Sequence, residues 1–245
     1  MPKSPFASRV FNIQASATVA ASARAGELKR QGIDLISLVA GEPDFDTPPH
    51  ICEAAIRAIK EGHTHYTNPA SGIPELKEAI CDKLQRDNEL SYSPSQIIVT
   101  CGAKQTIFDA ILVLIEEGDE AIIPAPYWTS YADQVRLMGG NPIIVPTTAD
   151  KNFCMTARQL QEAISPRTKF VLLNSPCNPT GAVYTRENLK ALAGVIASAG
   201  IYVITDEIYE KLLYDGAMHD SIAALLPELM DRTLTVNGVS KSYAM

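Results

Sequence analysis

The sequence predicts an α/β fold of three layers, in which helices cover both faces of a mostly parallel β-sheet. Two observations support this prediction. Short runs rich in Ile and Val recur along the chain without strict alternation of apolar and polar residues, which is typical of strands buried on both faces. Amphipathic helical patterns separate these runs, and such alternation of strands and helices is typical of parallel sheets.

Six apolar runs are the predicted strands: Ile97–Thr100, Glu120–Pro124, Pro142–Val145, Lys169–Leu173, Ile201–Thr205 and Thr233–Val236. One helix is predicted to begin at Pro74, because proline suits the first helical turn. A second helix begins near Lys104. A third is capped by Thr185 and ends at Gly200, since these residue types are preferred at the two helix ends.

The N-terminal part differs from the rest of the chain. The Ala- and Ser-rich stretch Gln14–Ala25 predicts at most a helix, and residues 41–50, with three prolines and three acidic residues, predict a loop. We interpret this loop as the joint between an N-terminal segment, residues 1–45, and a main domain, residues 46–245.

Composition limits the functional classes. The net charge of −7 over 245 residues argues against nucleic acid or an anionic membrane as the main partner. No apolar stretch approaches the length of a membrane span, and the first residues lack the apolar core of a signal peptide. Five widely spaced cysteines without a C-x-x-C motif indicate reduced thiols rather than disulfides or a zinc site. We therefore expect a cytoplasmic location.

Polar clusters follow four of the predicted strands, and the carboxyl ends of parallel strands form the ligand-binding edge of such sheets. In chain order the clusters are CGAKQ, NSPCNPTG, DEIYE and NGVSKSY. They supply backbone amides at a helix start, an amide side chain, a carboxylate with a phenol, and a lysine. We expect the four clusters to meet in one site.

This set of groups suits pyridoxal phosphate, which needs an amine for its aldehyde, a carboxylate for its pyridine nitrogen, donors for its phenolic oxygen and an anion site for its phosphate. Lys241 is the candidate amine and Asp206 the candidate carboxylate. Asn178 and Tyr209 are the candidate donors to the phenolic oxygen. The amides of Gly102–Lys104 are the candidate phosphate site, because a helix N-terminus favours anions.

Each group also has a simpler interpretation. Lys241 is a surface lysine in that interpretation, Asp206 is the cap of a helix over residues 207–213, and Tyr209 lies at the rim of the core. The NPTG segment is then an ordinary turn, and Gly102 relieves a tight strand-to-helix connection. The joint placement of these groups after successive strands favours the cofactor site.

Six segments resemble the fold-type I aminotransferases, and most closely the aspartate aminotransferases of the prokaryotic class I branch. They are AGEPDFDTP, HYTNPASGIPELKEAI, APYWTSY, NSPCNPTGAVY, TDEIYEKLLY and VNGVSKSYAM, and the resemblance runs from about Ser16 to the last residue. It implies that residues 46–245 form the large cofactor-binding domain of a pyridoxal-phosphate-dependent transferase and that residues 1–45 contribute to the small domain.

The resemblance also implies roles for individual residues. Lys241 bonds to the cofactor aldehyde and then moves a proton between substrate Cα and cofactor C4′ as a general acid and base. Asp206 pairs with the pyridine nitrogen, and Asn178 and Tyr209 contact the phenolic oxygen, with Asn178 also facing the substrate. Trp128, the single tryptophan, stacks on the cofactor ring beside the substrate; the alternative is a core tryptophan.

The matching positions extend to the substrate and the phosphate. Gly41 contacts the substrate α-carboxylate, unless it is a plain loop glycine. Ala103 and Lys104 lie on the phosphate-binding turn, and Ser240 is a further candidate phosphate contact. Lys104 resembles a partner for the distal carboxylate of a dicarboxylic substrate; the alternative is a solvated lysine at the helix start.

Tyr66 matches a tyrosine that reaches the phosphate of the neighbouring subunit, so the resemblance implies a homodimer whose sites are shared. The alternative is a packed surface tyrosine. The proline after Asn178 matches one whose preceding peptide bond is often cis in the family.

The sequence departs from the family pattern after Lys241. Relatives continue with a TGWRIGY-like stretch, whose arginine holds the cofactor phosphate, and with a later arginine that binds the substrate α-carboxylate. Neither is present. We therefore expect the chain to be the N-terminal part of an aminotransferase, incomplete in its large domain, and we expect little or no turnover from these 245 residues alone.

The sequence thus predicts transamination between an amino acid and a 2-oxo acid, with aspartate and 2-oxoglutarate as the expected pair. Prephenate, aromatic amino acids and alanine remain open as substrates, as does a β-lyase reaction on the same scaffold. A different class of hypothesis also stays open: a catalytically defective cofactor-binding module with an exposed sheet edge. No metal site is predicted.

Overall fold

The computed structural model describes residues 5–13, 17–39 and 41–245. Its centre is a sheet of five parallel strands in the order β2-β1-β3-β4-β5. The strands are β1 (Glu120–Ala125), β2 (Asn141–Pro146), β3 (Thr168–Asn174), β4 (Tyr202–Asp206) and β5 (Thr233–Val236). The predicted α/β class and parallel sheet are confirmed.

The described residues contain eight α-helices: α1 (Ala17–Arg30), α2 (Pro49–Lys60), α3 (Pro74–Asn88), α4 (Ala103–Leu114), α5 (Ser130–Leu137), α6 (Ala157–Ala163), α7 (Arg186–Ala199) and α8 (Ile222–Leu225). The three predicted helices are confirmed as α3, α4 and α7. The Thr185 side chain accepts a hydrogen bond from the Asn188 amide, and Gly200 ends α7 at φ +69°, a left-handed conformation that suits glycine.

The two faces of the sheet carry separate cores, as expected for three layers. On β1, Ala121 and Ile123 point to the face covered by α4 and α5, whereas Ile122 points to the face covered by α6 and α7. Strand β3 alternates in the same way, with Phe170 on the first face and Val171 on the second. Because both faces are covered there, the middle residues of β1 and β3 are apolar without alternation.

Ile97–Thr100 is not a strand, so this prediction was wrong. Ile97 is buried beside Leu84 and Leu90, near the end of α3, but Ile98 is 71% exposed. The run makes a single backbone hydrogen bond to another segment, from the Val99 amide to the Ser71 carbonyl. Ile97 is thus the one residue of the run that belongs to the core, whereas Ile98 and Val99 are exposed.

Residues 207–213 form turns rather than the helix considered as an alternative. The Glu207 amide donates to the Val236 carbonyl, and the Glu210 and Leu212 amides donate to carbonyls three residues back. The backbone leaving β4 is thus tied to the end of β5. This arrangement keeps residues 206–210 at the edge of the sheet.

The two glutamates of the DEIYE segment face the interior. Asn88, at the end of α3, donates to Glu207 and to Glu210 over 3.3 and 2.8 Å, and Lys83 forms an ion pair with Glu210. His219 and Ser221 also bond to Glu207. Burial raises the pKa of Glu210, but hydrogen bonds from Lys83 and Asn88 outweigh it and hold the pKa below its usual value. We interpret the cluster as a structural network, because protein donors already occupy its carboxylates.

The N-terminal part agrees with the sequence in outline. Helix α1 covers the Ala17–Ala25 part of the Ala- and Ser-rich stretch, whereas Gln14–Ser16 and Ala40 of the AGEPDFDTP motif lie outside the described residues. The predicted loop is shorter than expected, because α2 begins at Pro49. The domain division at residue 45 stays a prediction. In the described parts of the chain, no helix has the length and apolarity needed to cross a membrane.

Candidate active site

A cleft of about 700 Å³ opens at the carboxyl edge of the sheet. Its walls come from the segments that follow β1, β3, β4 and β5 and from the start of α4. Nine of the ten predicted site residues line it: Gly41, Ala103, Lys104, Trp128, Asn178, Asp206, Tyr209, Ser240 and Lys241. The structure therefore brings together polar clusters that lie up to 200 positions apart in sequence.

Tyr66 is the exception. It does not line the cleft, and its side chain is fully exposed in this chain. Its predicted contact with a neighbouring subunit therefore stays a prediction.

Asp206 is the buried acid of the cleft. It is the last residue of β4 and is 3% exposed. Tyr131 donates its hydroxyl to Oδ2 over 2.5 Å, and the Ile208 amide donates to Oδ1 over 3.2 Å. Burial raises the pKa of Asp206 to about 6, although both hydrogen bonds act to lower it. Among the described residues no cation pairs with this carboxylate, so the position favours a cationic ligand.

Asn178 and Tyr209 form a second pair of groups. The Asn178 side-chain amide donates to the Tyr209 hydroxyl over 3.4 Å. The Asn178 backbone amide donates to Asn174, whose own side chain donates to the Asp206 carbonyl. The Asn178–Pro179 peptide bond is cis. Burial raises the pKa of the Tyr209 phenol, which therefore stays protonated and able to donate.

Lys241 lies in the turn that follows β5. Its Nζ donates to the Gly41 carbonyl over 2.6 Å and lies 5.7 Å from the centroid of the Tyr209 ring. Ser240 precedes it and is partly buried. Lys241 therefore lies beside Tyr209 and lines the same cleft as Asp206.

The start of α4 forms another wall. Gly102 caps the helix at φ +86°, and a Cβ built there would meet only open space, so glycine is required by the backbone rather than by crowding. The Gln105 amide bonds back to the Gly102 carbonyl, whereas the amides at the first two positions of a helix, here Ala103 and Lys104, have no preceding turn to bond to. This end of α4 is therefore suitable for an anion. Lys104 Nζ lies 4.9 Å from the centroid of the Trp128 ring, a cation–π contact.

The donor set fits pyridoxal phosphate. A buried carboxylate without a counter-charge suits a protonated ring nitrogen, and the Asn178–Tyr209 pair suits a phenolic oxygen. Lys241 supplies an amine, Trp128 a flat aromatic surface and the start of α4 an anion site. No arginine lines the cleft among the described residues, in line with the departure noted in the sequence.

Sequence reasoning missed two residues that support the site. Asn174 ends β3 and bonds to both Asn178 and Asp206, whereas Tyr131 bonds to Asp206 from α5. Both lie inside motifs that carry the resemblance, NSPCNPTGAVY and APYWTSY. Sequence spacing gave no signal for these roles, because Asn174 bonds to the backbone of Asp206 and Asn178, and Tyr131 bonds to the side chain of Asp206.

Comparison with known proteins gives a consistent result. A family model described as aminotransferase class I and II matches residues 33–245. The chain is 53% identical to an aspartate aminotransferase of Geobacillus stearothermophilus, over 98% of this chain and 61% of that protein. It is 49% identical to an aspartate/prephenate aminotransferase of Thermus thermophilus, over 97% of this chain and 60% of that protein.

The fold agrees with a solved structure of the same kind. An aspartate aminotransferase from Thermus thermophilus, solved with maleate, superposes with a TM-score of 0.93 at 48% identity. The match covers 98% of this chain and 62% of that one. The chain thus spans about 60% of the length of the relatives that it matches.

Substitution of Asp206 tests whether burial of its ionised carboxylate lowers the free energy of unfolding. Because its folded-state pKa lies above the ordinary 3.8, the protonated form stabilises the folded protein. That contribution is complete below about pH 3.8 and is lost as the pH rises through about 6. We expect Asp206→Asn to raise the free energy of unfolding of the cofactor-free chain at pH 8 by up to about 3 kcal/mol.

The gain should disappear near pH 4, where the parental carboxyl is protonated too. Urea unfolding of both proteins at the two pH values measures the difference. The exposed Asp215, replaced by Asn, serves as the control. A substitution at Asp206 that destabilises the chain equally at both pH values would contradict this reading.

Proposed function

This chain belongs to the class I and II aminotransferase family, and on that premise we propose that it carries the cofactor site of a pyridoxal-phosphate-dependent aminotransferase. The observation that carries the proposal is the single cleft in which Lys241, the unpaired Asp206 carboxylate and the Asn178–Tyr209 pair meet. The reaction that we propose is transfer of an amino group between an amino acid and a 2-oxo acid.

Four groups of this chain would hold the cofactor. Asp206 accepts from the protonated ring nitrogen, and Asn178 and Tyr209 donate to the phenolic oxygen. Trp128 stacks on the ring. The amides of Ala103 and Lys104, with Ser240, receive the phosphate; their support is the open start of α4 and the place of Ser240 in the cleft.

When bound, pyridoxal phosphate supplies an aldehyde carbon and an electron-withdrawing ring. The Asp206 carboxylate would hold the proton on the ring nitrogen, which is the form of the ring that withdraws electrons. Lys241 Nζ supplies the amine for the aldehyde and afterwards carries the proton that substrate Cα loses. Its hydrogen bond to the Gly41 carbonyl must break for this task, which also frees the Gly41 segment to meet a substrate carboxylate.

We propose aspartate and 2-oxoglutarate as the substrate pair. Lys104 supports a dicarboxylic substrate, because its ammonium group lies over Trp128 at the cleft. Relatives of this chain are named aspartate aminotransferases, and one of them was solved with maleate, which is also a dicarboxylate. Prephenate is the second candidate, since one relative is named for both substrates.

The proposal extends to assembly and location. We propose a homodimer in the cytoplasm, in which Tyr66 reaches the cofactor phosphate of the partner. The support is that Tyr66 is fully exposed in the single chain, while the other predicted site residues line the cleft.

Covalent trapping tests the cofactor assignment. Incubation with a limiting amount of pyridoxal phosphate, then reduction with borohydride, should attach the cofactor to the peptide that contains Lys241, because this amine lies beside Tyr209 and Gly41 in the cleft. Mass spectrometry of the digested protein locates the label. Lys241→Ala should abolish the label, whereas Lys211→Ala, at an exposed ion pair, should retain it. A main label on any other lysine would refute the assignment.

Substrate preference is tested through Lys104. We expect aspartate to change the absorbance of the bound cofactor at a lower concentration than alanine does. Lys104→Ala should raise the half-saturating concentration of aspartate about tenfold, the scale of a hydrogen bond to a charged group, and should leave that of alanine unchanged. Equal responses to aspartate and alanine in the parental protein would count against this role.

A further inference from the structure

Tyr131 is a buried tyrosine whose hydroxyl enters the candidate site. It is the second residue of α5 and is 1% exposed. Its ring packs in the core between α4, α5 and the sheet, beside residues such as Ile123 and Leu172. The ring is therefore held by packing on a regular helix, and its hydroxyl has a fixed place.

Among the described residues, that hydroxyl donates to one acidic group, Asp206. Tyr131 Oη donates to Asp206 Oδ2 over 2.5 Å, while the other oxygen, Oδ1, accepts from the Ile208 amide. Each carboxylate oxygen thus has one protein donor, and the carboxylate cannot rotate without losing both. The Tyr131 ring also meets Trp128 edge to face, at 5.3 Å between centroids and an interplanar angle of 88°.

We propose that Tyr131 is a positioning residue of the cofactor site. It orients the Asp206 carboxylate toward the ring nitrogen, and its edge-to-face contact supports the Trp128 ring. The role rests on the proposed function, because it concerns the two groups that we assign to the cofactor ring. Tyr131 itself acts through Asp206 and Trp128.

The hydroxyl is the part of the side chain that packing does not explain. A phenylalanine would fill the same space in the core, and a buried hydroxyl without a partner is unfavourable. Burial, and then the neighbouring Asp206, raise the pKa of the Tyr131 phenol well above its usual value. The phenol therefore keeps its proton and acts toward Asp206 as a donor, which favours the ionised carboxylate.

The other ionisable groups around Asp206 do not replace this donor. Glu207 follows in the chain and acts to raise the pKa of Asp206. Tyr209 lines the cleft, and burial raises the pKa of its phenol, so it carries no charge that could replace the donor. Lys241 lines the same cleft and bonds to the Gly41 carbonyl.

The experiment compares Tyr131→Phe with the parental protein and with Tyr92→Phe. Tyr92 is a matched control, because it loses a hydroxyl that bonds to Thr235 away from the cleft. The first readout is the pKa of Asp206 in the cofactor-free protein, from ¹³C NMR of labelled aspartate with Asp206→Asn to assign the signal. The second is the Kd of pyridoxal phosphate, from quenching of the single tryptophan, Trp128.

We expect Tyr131→Phe to raise the pKa of Asp206 by about one unit and the Kd at pH 7 by about tenfold, because a hydrogen bond to a charged group is lost. The pH below which the cofactor is released should rise with that pKa. Tyr92→Phe should change neither quantity. In the Asp206→Asn background, Tyr131→Phe should alter the Kd by less than twofold, since its effect runs through the carboxylate.

An unchanged Asp206 pKa in Tyr131→Phe overturns the proposal, as does an equal loss of affinity in the Asp206→Asn background. If the parental protein binds no cofactor, the proposed function fails, and the cofactor-free pKa still decides the role of Tyr131. If Tyr131→Phe does not fold, 3-fluorotyrosine at position 131 replaces it. That analogue keeps the ring, donates more strongly and should lower the pKa of Asp206; a pKa that stays constant contradicts the proposal.

Discussion

The arrangement of this protein depends on one buried carboxylate, Asp206, that no cation pairs with among the described residues. Asp206 ends β4, an interior strand of the sheet, is 3% exposed and accepts from the Tyr131 hydroxyl and the Ile208 amide. Burial without a cation raises its pKa to about 6, so its ionised form at pH 8 destabilises the fold. A cationic ring nitrogen in the cleft would remove that cost. The same feature therefore weakens the empty protein and favours the cofactor.

Hydrogen bonds of the residues that follow Asp206 hold its segment in place. In the DEIYE segment, Asp206 and Tyr209 line the cleft, while Glu207 and Glu210 bond inward to Asn88 at the end of α3. The backbone between them is tied to the end of β5 through the Glu207 amide. Residues that face the cleft thus alternate with residues that bond to the interior. The bonds of Glu207 and Glu210 to Asn88 thereby hold Asp206 and Tyr209 in position.

Much of the fold and of the candidate site could be predicted from the sequence. The five parallel strands and helices α3, α4 and α7 were predictable, because burial on both faces produces apolar strands and helix ends have distinct residue preferences. The meeting of Asp206, Asn178 and Lys241 followed from the rule that strand ends share an edge. Ile97–Thr100 was misread because a short run rich in Ile and Val resembles a buried strand, although Ile97 alone of the run is buried. Tyr131 was missed because a helix residue that acts on another side chain has no local pattern, and the turns at 207–213 depend on a bond to Val236 that sequence spacing does not show.

The central claim is that Asp206 meets and protonates the ring nitrogen of pyridoxal phosphate. Nitrogen NMR of ¹⁵N-labelled cofactor bound to this chain reads the protonation state of that nitrogen directly. At pH 8 the account predicts the chemical shift of a protonated pyridine nitrogen in the parental protein and that of a neutral nitrogen in Asp206→Asn. A neutral nitrogen in the parental protein, or the same shift in both proteins, would contradict it.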